Sequence, residues 1–280
     1  MKYKIEKNTV QETLIIPLYA RKVCSELYPD LYRDETAVRL IGEIDYDFSQ
    51  AEKNARGLMQ RFGSLEVAMR QNDLAFEVRD YLKDHTHAAV VNLGCGLDST
   101  GRACDNGICS IYNLDFPDVI AVRNELLPAG EREKNIPCDL NDTAWFSQID
   151  ASKGAVFFAS GVFYYFLTEQ VKALVQAMAE AFPGGVLVFD GANRTAVKMI
   201  AKTWLKSAKI QNVGAYFAVT DAPKEIGPWD SRLQVTSRGY MLGYNDLKAP
   251  SVSGFFRFLA RVGDGMMKMQ IVKIGFGGKQ

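Results

Sequence analysis

The sequence predicts an α/β fold, a Rossmann-like parallel sheet wrapped by helices, with a helical cap ahead of it at the N-terminus. Three observations carry that expectation. From residue 86 onward, short apolar runs alternate with stretches of helical spacing, the pattern of a parallel sheet covered on both faces. A glycine turn, Gly94-Cys95-Gly96, follows directly on the first apolar run. Residues 1–85, in contrast, read as helical and amphipathic.

The turn lies in residues 87–102, HAAVVNLGCGLDSTGR. Residues 88–93 are apolar apart from Asn92 and have the length of a buried strand. Two glycines spaced as Gly94 and Gly96 let the backbone turn sharply and approach a ligand with no side chain between. The next apolar run, residues 111–114, ends in Asp115, about twenty residues past the turn. A carboxylate at a strand tip there suits a ribose diol, because its two oxygens accept both hydroxyls. A dinucleotide fingerprint would place a third glycine where Ser99 stands. Residues 100–108 are also too broken by glycine and polar residues for a long phosphate-facing helix. A nicotinamide oxidoreductase is therefore disfavoured, and a nucleoside cofactor without phosphates, S-adenosylmethionine, is favoured.

The elements follow in order. Residues 12–27 carry Ile15, Ile16, Leu18, Tyr19, Val23 and Leu27 at helical spacing, with Pro17 expected to bend or delay the helix. Asp34 is placed to cap a helix through Ala37, Leu40 and Ile41. Residues 51–69 and 74–82 continue the helical spacing. This 1–85 segment has no place inside a sheet and is expected to lie across the strands' C-terminal edge, where open α/β folds bind ligands. The second domain, 86–280, continues with a helix at 119–127, a short strand at 136–138 and a buried strand at 155–159. Thr168 is expected to cap an amphipathic helix through Val171, Leu174, Val175, Met178 and Phe182, followed by a strand at 186–189. Asn193 should cap a helix reaching about Ala208. Residues 209–250 read as a loop-rich insertion holding one strand at 233–237, with a helix at 255–262 and a closing strand within 266–276.

Composition narrows the partners. Basic and acidic residues number 33 each, so nothing points to nucleic acid or an anionic membrane. No apolar run approaches the roughly twenty residues that span a bilayer, and the basic N-terminus lacks an apolar stretch behind it, which favours a cytoplasmic protein. The five cysteines form no C-x-x-C pair and read as free thiols, Cys104 and Cys109 included. His85 and His87, the two histidines, have no companions to complete a metal site, so no metal is expected.

Several stretches in succession, VVNLGCGLDST, YNLDFPDVIAVRNELLP, CDLNDTAWFSQI and FFASGVFYYFLTEQVKALV, resemble the leucine carboxyl methyltransferase family, and more closely its bacterial branch of polyketide O-methyltransferases. The segments IPLYARKVCSELYPDLYRDETAVRLIGEIDYDFS and AMRQNDLAFEVRDYL resemble the same branch. The resemblance implies a seven-stranded methyltransferase sheet whose last strand is antiparallel. It implies that Gly94 and Gly96 pass beneath the methionine part of S-adenosylmethionine and that Asp115 holds the ribose. Asp139 would accept from the adenine amine, with Leu140 packed on the ring. Arg70 would pair with the cofactor's carboxylate, for which a planar guanidinium is suited. Arg21, with Lys22, would supply a cationic contact, and Tyr165 would stand beside the methyl-transfer site. Where the family reads E-G-V-L-x-Y, this chain has Ser160-Gly161-Val162-Phe163-Tyr164-Tyr165, so a serine replaces the acid at the fourth strand's tip.

The plain readings stand beside these: a tight turn for the glycines, solvated turn acids or caps for Asp139 and Asp142, and a solvated helix face for Arg21 and Lys22. The expected reaction is O-methylation of a small molecule. A carboxylate acceptor, ionised above a pKa of about 4, needs no base; a phenol, near 10, does, and neither histidine is placed to serve. That favours a carboxylate. The competing reading is a protein that keeps the cofactor pocket but has lost turnover, to which Ser160 points.

Overall fold

The computed structural model describes residues 2–5, 10–55, 57–199 and 217–277. Seven strands form the main sheet: β3 (Ala89–Leu93), β4 (Ser110–Asp115), β5 (Glu133–Pro137), β6 (Ala155–Ala159), β7 (Val186–Gly191), β8 (Leu233–Gly239) and β9 (Gln270–Phe276). Their order is β5-β4-β3-β6-β7-β9-β8. β3 through β7 are parallel to one another, and β9 runs antiparallel to both neighbours. The order reverses at β3, between β4 on one side and β6 on the other, and Gly94 follows β3 immediately. That is the switch point at which open parallel sheets take their ligands.

The strands' near-continuous apolar character reflects burial on two faces. β3 and β6 are buried at every position. On one face Val91, Leu93, Leu114, Phe157, Leu187 and Phe189 meet Val171, Leu174, Val175 and Met178 of α7 (Thr168–Ala181). On the other, Val90, Ile111, Val156, Phe158 and Val188 meet Leu74, Ala75 and Val78 of α4 (Leu58–Asp84). Each fully buried side chain of this size contributes about 1.5–3 kcal/mol, so the alternation along each strand locks its register.

The helical N-terminal region comprises α1 (Val10–Leu27), α2 (Glu35–Glu43), α3 (Ser49–Ala55) and α4. α1 continues through Pro17, so the helix is not delayed there. Asp34 caps α2, its Oδ1 accepting from the Ala37 N–H at 2.8 Å. Two strands of two residues, β1 (Tyr3–Lys4) and β2 (Ile44–Asp45), pair in parallel in this region. Leu14, Ile15 and Leu18 of α1 and Ala37 and Leu40 of α2 share a cluster with Leu97, Val119 and Val122, which seats α1 beside the glycine turn. α4 ends just before β3 begins and so runs antiparallel to the parallel strands, with Arg70 reaching Gly161 past the end of β6. The residues of α4 before Arg70 therefore rise beyond the strand ends by up to about 18 Å, at 1.5 Å per residue.

Between the strands lie α5 (Thr100–Ala103), α6 (Pro117–Leu126), α8 (194–199), α9 (Ala222–Ile226) and α10 (Gly254–Gly265). α5 has four residues, in keeping with the broken pattern at 100–108. Thr168 is the first residue of α7 rather than its cap; the Leu167 N–H is held by Gln170 Oε1 at 2.8 Å. Asn193 Oδ1 accepts from the Ala196 N–H at 3.0 Å, and the expected extension of α8 to about Ala208 lies outside the described residues. The part of the insertion after β8 is clasped to α4: Asp73 accepts from the Met241 N–H at 2.7 Å, and Glu77 accepts from the Tyr244 hydroxyl at 2.8 Å. No helix among the described residues is long and apolar enough to cross a membrane. The five cysteines are free thiols.

Candidate active site

Both glycines of the turn adopt the left-handed backbone, with φ of +66° at Gly94 and +46° at Gly96. A Cβ on Gly94 would stand 2.6 Å from Val162 Cγ2, and one on Gly96 3.1 Å from Leu14 Cδ2. Conformation and space therefore both require glycine. The Gly96 N–H donates to Asp115 Oδ2 at 2.8 Å, and the Phe116 N–H to Oδ1 at 2.8 Å. Asp115 is thus fixed at the tip of β4 against the turn, each oxygen keeping a lone pair to spare. Burial raises its carboxyl above the usual range, opposed by those two N–H groups.

The turn is braced from behind by Asp98. Its carboxylate accepts from Arg21 Nη1 (3.2 Å), Asn92 Nδ2 (3.1 Å), the Thr100 N–H (2.9 Å) and the Thr100 hydroxyl (2.7 Å), and from Gln71 Nε2. One side chain therefore ties α1, α4, β3 and α5 together. Arg21, expected to contact ligand, is 5% exposed and taken up by this bracing: Nη2 donates to the Leu97 carbonyl at 3.0 Å, and Nη1 lies 3.4 Å from Asp34. Its neighbour Lys22 pairs with Glu26 on the helix surface at 2.9 Å. Arg123 of α6, fully buried, donates to the Gly96 and Asp98 carbonyls at 2.9 and 2.7 Å.

Asp139 follows β5, is exposed, and accepts from both the Asn141 N–H and side chain at 2.9 Å. Leu140 is buried beside Ile136 and Trp145. The plain reading of Asp142 holds, since it caps the next turn by accepting from the Ala144 N–H at 3.0 Å. Ser160 sits partly exposed directly after β6. Of the adjacent tyrosines, Tyr164 is buried and Tyr165 is 47% exposed.

A second group of polar side chains gathers past the ends of β6 and β7. Arg70 Nη1 donates to Asp190 Oδ2 at 3.1 Å, and Asp190 Oδ1 accepts from the Gly161 N–H at 2.6 Å. A Cβ on Gly161, whose φ is +70°, would stand 2.9 Å from Arg70 Nη1, so glycine here lets the guanidinium lie on the backbone. Arg70 Nε is buried without a hydrogen-bond partner among the described residues. Tyr164 and Tyr240 adjoin this pair, and burial pushes both phenols well above their ordinary value. Glu66 stands one helical turn before Arg70 on α4 and is partly open to solvent. Loss of hydration of its charged form pushes its carboxyl up to about 7, against the pull of Arg70. A shallow hollow lies at the N-terminal ends of β6 and β7 between Ile149 and Phe182, on the opposite edge of the sheet.

Sequence reasoning missed Asp98, Arg123, Asp190 and Glu66. Asp190 had a usable signal, because it ends the apolar run VLVFD as Asp115 ends IYNLD. Arg123 stands in the apolar stretch VIAVRNELL, which is a weaker one.

A parallel sheet reversing at a glycine turn, with an acid at the next strand tip and an antiparallel strand inserted next to the far edge, defines the S-adenosylmethionine-dependent methyltransferases. Within that class, residues 17–179 match the model of the leucine carboxyl methyltransferase family, and the chain belongs to that family. It is 27% identical over 182 residues to the tetracenomycin polyketide synthesis O-methyltransferase TcmP of Streptomyces glaucescens, a match covering 65% of each chain. It is 24% identical over 280 residues to the S-adenosyl-L-methionine-dependent methyltransferase dpfgK of Gibberella zeae, covering 94% of this chain and 92% of the relative. Among solved structures, a protein from Thermobifida fusca YX classed as a methyltransferase shares the fold with a TM-score of 0.58 at 18% identity, over 92% of this chain and 94% of that one. A DUF574 family protein from Streptomyces avermitilis does so with a TM-score of 0.57 at 10% identity, over 92% and 97%.

The residues present fit the cofactor of this class. The left-handed glycine turn at Gly94 and Gly96 leaves the backbone without side chains there, and Asp115 offers free lone pairs at the tip of the adjacent strand. Among the described residues, no group of three or more histidine, cysteine, aspartate or glutamate side chains is placed to hold a metal ion.

Proposed function

We propose that this chain transfers a methyl group from S-adenosylmethionine to an oxygen atom of a small molecule, of the polyketide type named for its Streptomyces relative. The observation that carries the reading is Asp115, clamped by the Gly96 and Phe116 N–H groups with an acceptor lone pair left on each oxygen. In this reading Gly94 and Gly96 lie under the methionine portion, Asp115 holds the ribose, and Asp139 and Leu140 border the adenine. Arg70 and Ser160 face the cofactor's amino-acid end, and Tyr165 borders the acceptor. Arg21 acts through Asp98 by holding α1 against the turn.

When bound, the cofactor supplies an already activated methyl group. The protein's task is to align an acceptor oxygen in line with it and to exclude water. Titration calorimetry tests the reading. S-adenosylhomocysteine should bind and NAD should not, and Asp115→Ala should weaken binding by about 1–3 kcal/mol through lost charged hydrogen bonds. Equal affinity in the variant would remove Asp115 from the site. A panel of phenols and carboxylic acids, read by mass spectrometry for gain of one methyl group, separates turnover from mere cofactor binding; no methylated product would favour the non-catalytic reading attached to Ser160.

A carboxylate acceptor remains the simplest case for a site without a base. The groups gathered past β6 and β7 alter that balance, because Glu66 and Asp190 stand there and the one guanidinium among them, Arg70, is already engaged by Asp190.

A further inference from the structure

We propose that Glu66 is the proton acceptor of the site and that the group it serves is a hydroxyl, phenolic or enolic, rather than a carboxylate. The inference rests on the methyltransferase reading above and deepens it.

Four observations support it. Glu66 and Arg70 are four residues apart on α4, so they share one face of the helix. Arg70 is anchored at the strand ends by Asp190 and by its seat on Gly161, so Glu66 stands one turn beyond, about 6 Å farther from the sheet. That position lies past the strand ends, on the helix face that carries Arg70 to Gly161, and near Tyr240. Secondly, Glu66 is the acid of this group that has not been taken up. Asp190 is bound by Arg70 and the Gly161 N–H, whereas Glu66 has no hydrogen-bond donor among the described residues.

Thirdly, the surroundings select the acceptor. The charged and titratable groups around Glu66 are Arg70 on its own helix, Tyr240 after β8, and, through Arg70, Asp190 of β7 and Tyr164. An incoming carboxylate would meet two acids with a single guanidinium that is already paired. A neutral hydroxyl meets no such repulsion, and the phenolic rings of Tyr164 and Tyr240 offer it apolar walls. Lastly, loss of hydration lifts the Glu66 carboxyl to about 7, the range in which a base is both available and strong enough to draw a proton.

The step balances. The acceptor O–H proton passes to a Glu66 carboxylate oxygen as the O–C bond forms. The C–S bond of the sulfonium breaks, its electron pair stays on sulfur, and S-adenosylhomocysteine leaves as a neutral thioether. Glu66 then returns its proton to water.

The test uses the full chain and two variants, Glu66→Gln and Glu66→Asp, with matched aromatic phenols and benzoic acids as acceptors. Glu66→Gln should keep its affinity for S-adenosylhomocysteine and lose about a hundredfold or more in kcat on phenols, with KM little changed, and Glu66→Asp should recover part of the loss. For the natural chain, kcat on phenols should fall as pH drops through about 7, and that dependence should vanish in Glu66→Gln. Independently of turnover, infrared difference spectra should show carboxyl absorption titrating near 7 that is diminished in Glu66→Gln, the remainder belonging to Asp264, which burial also lifts to about 7. Undiminished phenol methylation by Glu66→Gln would overturn the proposal, as would methylation confined to the carboxylic acids. Failure of the natural chain to bind S-adenosylhomocysteine would instead bring down the methyltransferase reading, and this proposal with it.

Discussion

The two ends of the binding edge are built on opposite plans. Around the glycine turn the carboxylates are matched: Asp98 takes five donors and Asp115 takes two, while Arg123 binds two carbonyls and Arg21 Nε alone among these groups has no partner among the described residues. Past β6 and β7 the matching stops short. The Glu66 carboxylate has no hydrogen-bond donor among the described residues, and burial holds its charged form at a disadvantage. A satisfied network fixes geometry, which is what holding a rigid nucleoside requires. An unsatisfied acid costs the fold free energy and retains chemical potential for a substrate.

The contrast can be broken most sharply at Asp98. Replacing it by alanine leaves the Arg21 guanidinium, 6% exposed, with its main partner gone, and should destabilise the protein by about 3–5 kcal/mol. Urea denaturation would read this, and a loss below about 1 kcal/mol would show that the network is no brace. Gly94→Ala is next, combining a left-handed backbone with a Cβ only 2.6 Å from Val162, at about 2–3 kcal/mol. Adding Val162→Ala should return the steric part and leave the conformational part, which a double-mutant cycle separates.

The smallest effect has the opposite sign. The raised Glu66 carboxyl means that its neutral form is the one the fold prefers. Its burden on stability is absent below the ordinary carboxylate value, grows as pH rises, and is complete above about 7. Glutamine does not titrate, so Glu66→Gln should be more stable than the natural chain by about 1 kcal/mol at pH 8, and the difference should close near pH 4. Thermal melts at both values would check this. Destabilisation at pH 8 would mean that Glu66 has a partner and belongs with the matched half.

These halves also differ in how far they could be read from sequence. The turn and Asp115 were legible because they lie on local patterns, an apolar run broken by glycines and a run ended by an acid. β6 was legible to its end residues for the same reason. β1 and β2 were not, since two residues carry no periodicity. Asp98 and Glu66 escaped because nothing local marks them. Asp98 draws its meaning from Arg21 and Gln71, 77 and 27 residues away, and Glu66 from the way α4 carries it past the strand ends. The Arg21 guanidinium is spent on Asp98, a juxtaposition that helical spacing does not disclose. Thr168 was taken for a cap because hydroxyls often are; the Gln170 side chain fills that need one residue earlier.

The placement of β9 has a consequence for how the molecule is assembled. It comes later in the chain than both strands it joins, pairing with β7 over residues 186–191 and with β8 over 233–239. While synthesis is still short of residue 270, β7 presents an unpaired, apolar edge, and β8 has no neighbour in the sheet. An open edge of this kind is a template for pairing with other chains. The nascent protein is therefore exposed to self-association until β9 has been made. Shortening from the C-terminal side should favour aggregation long before any residue of the binding edge is removed.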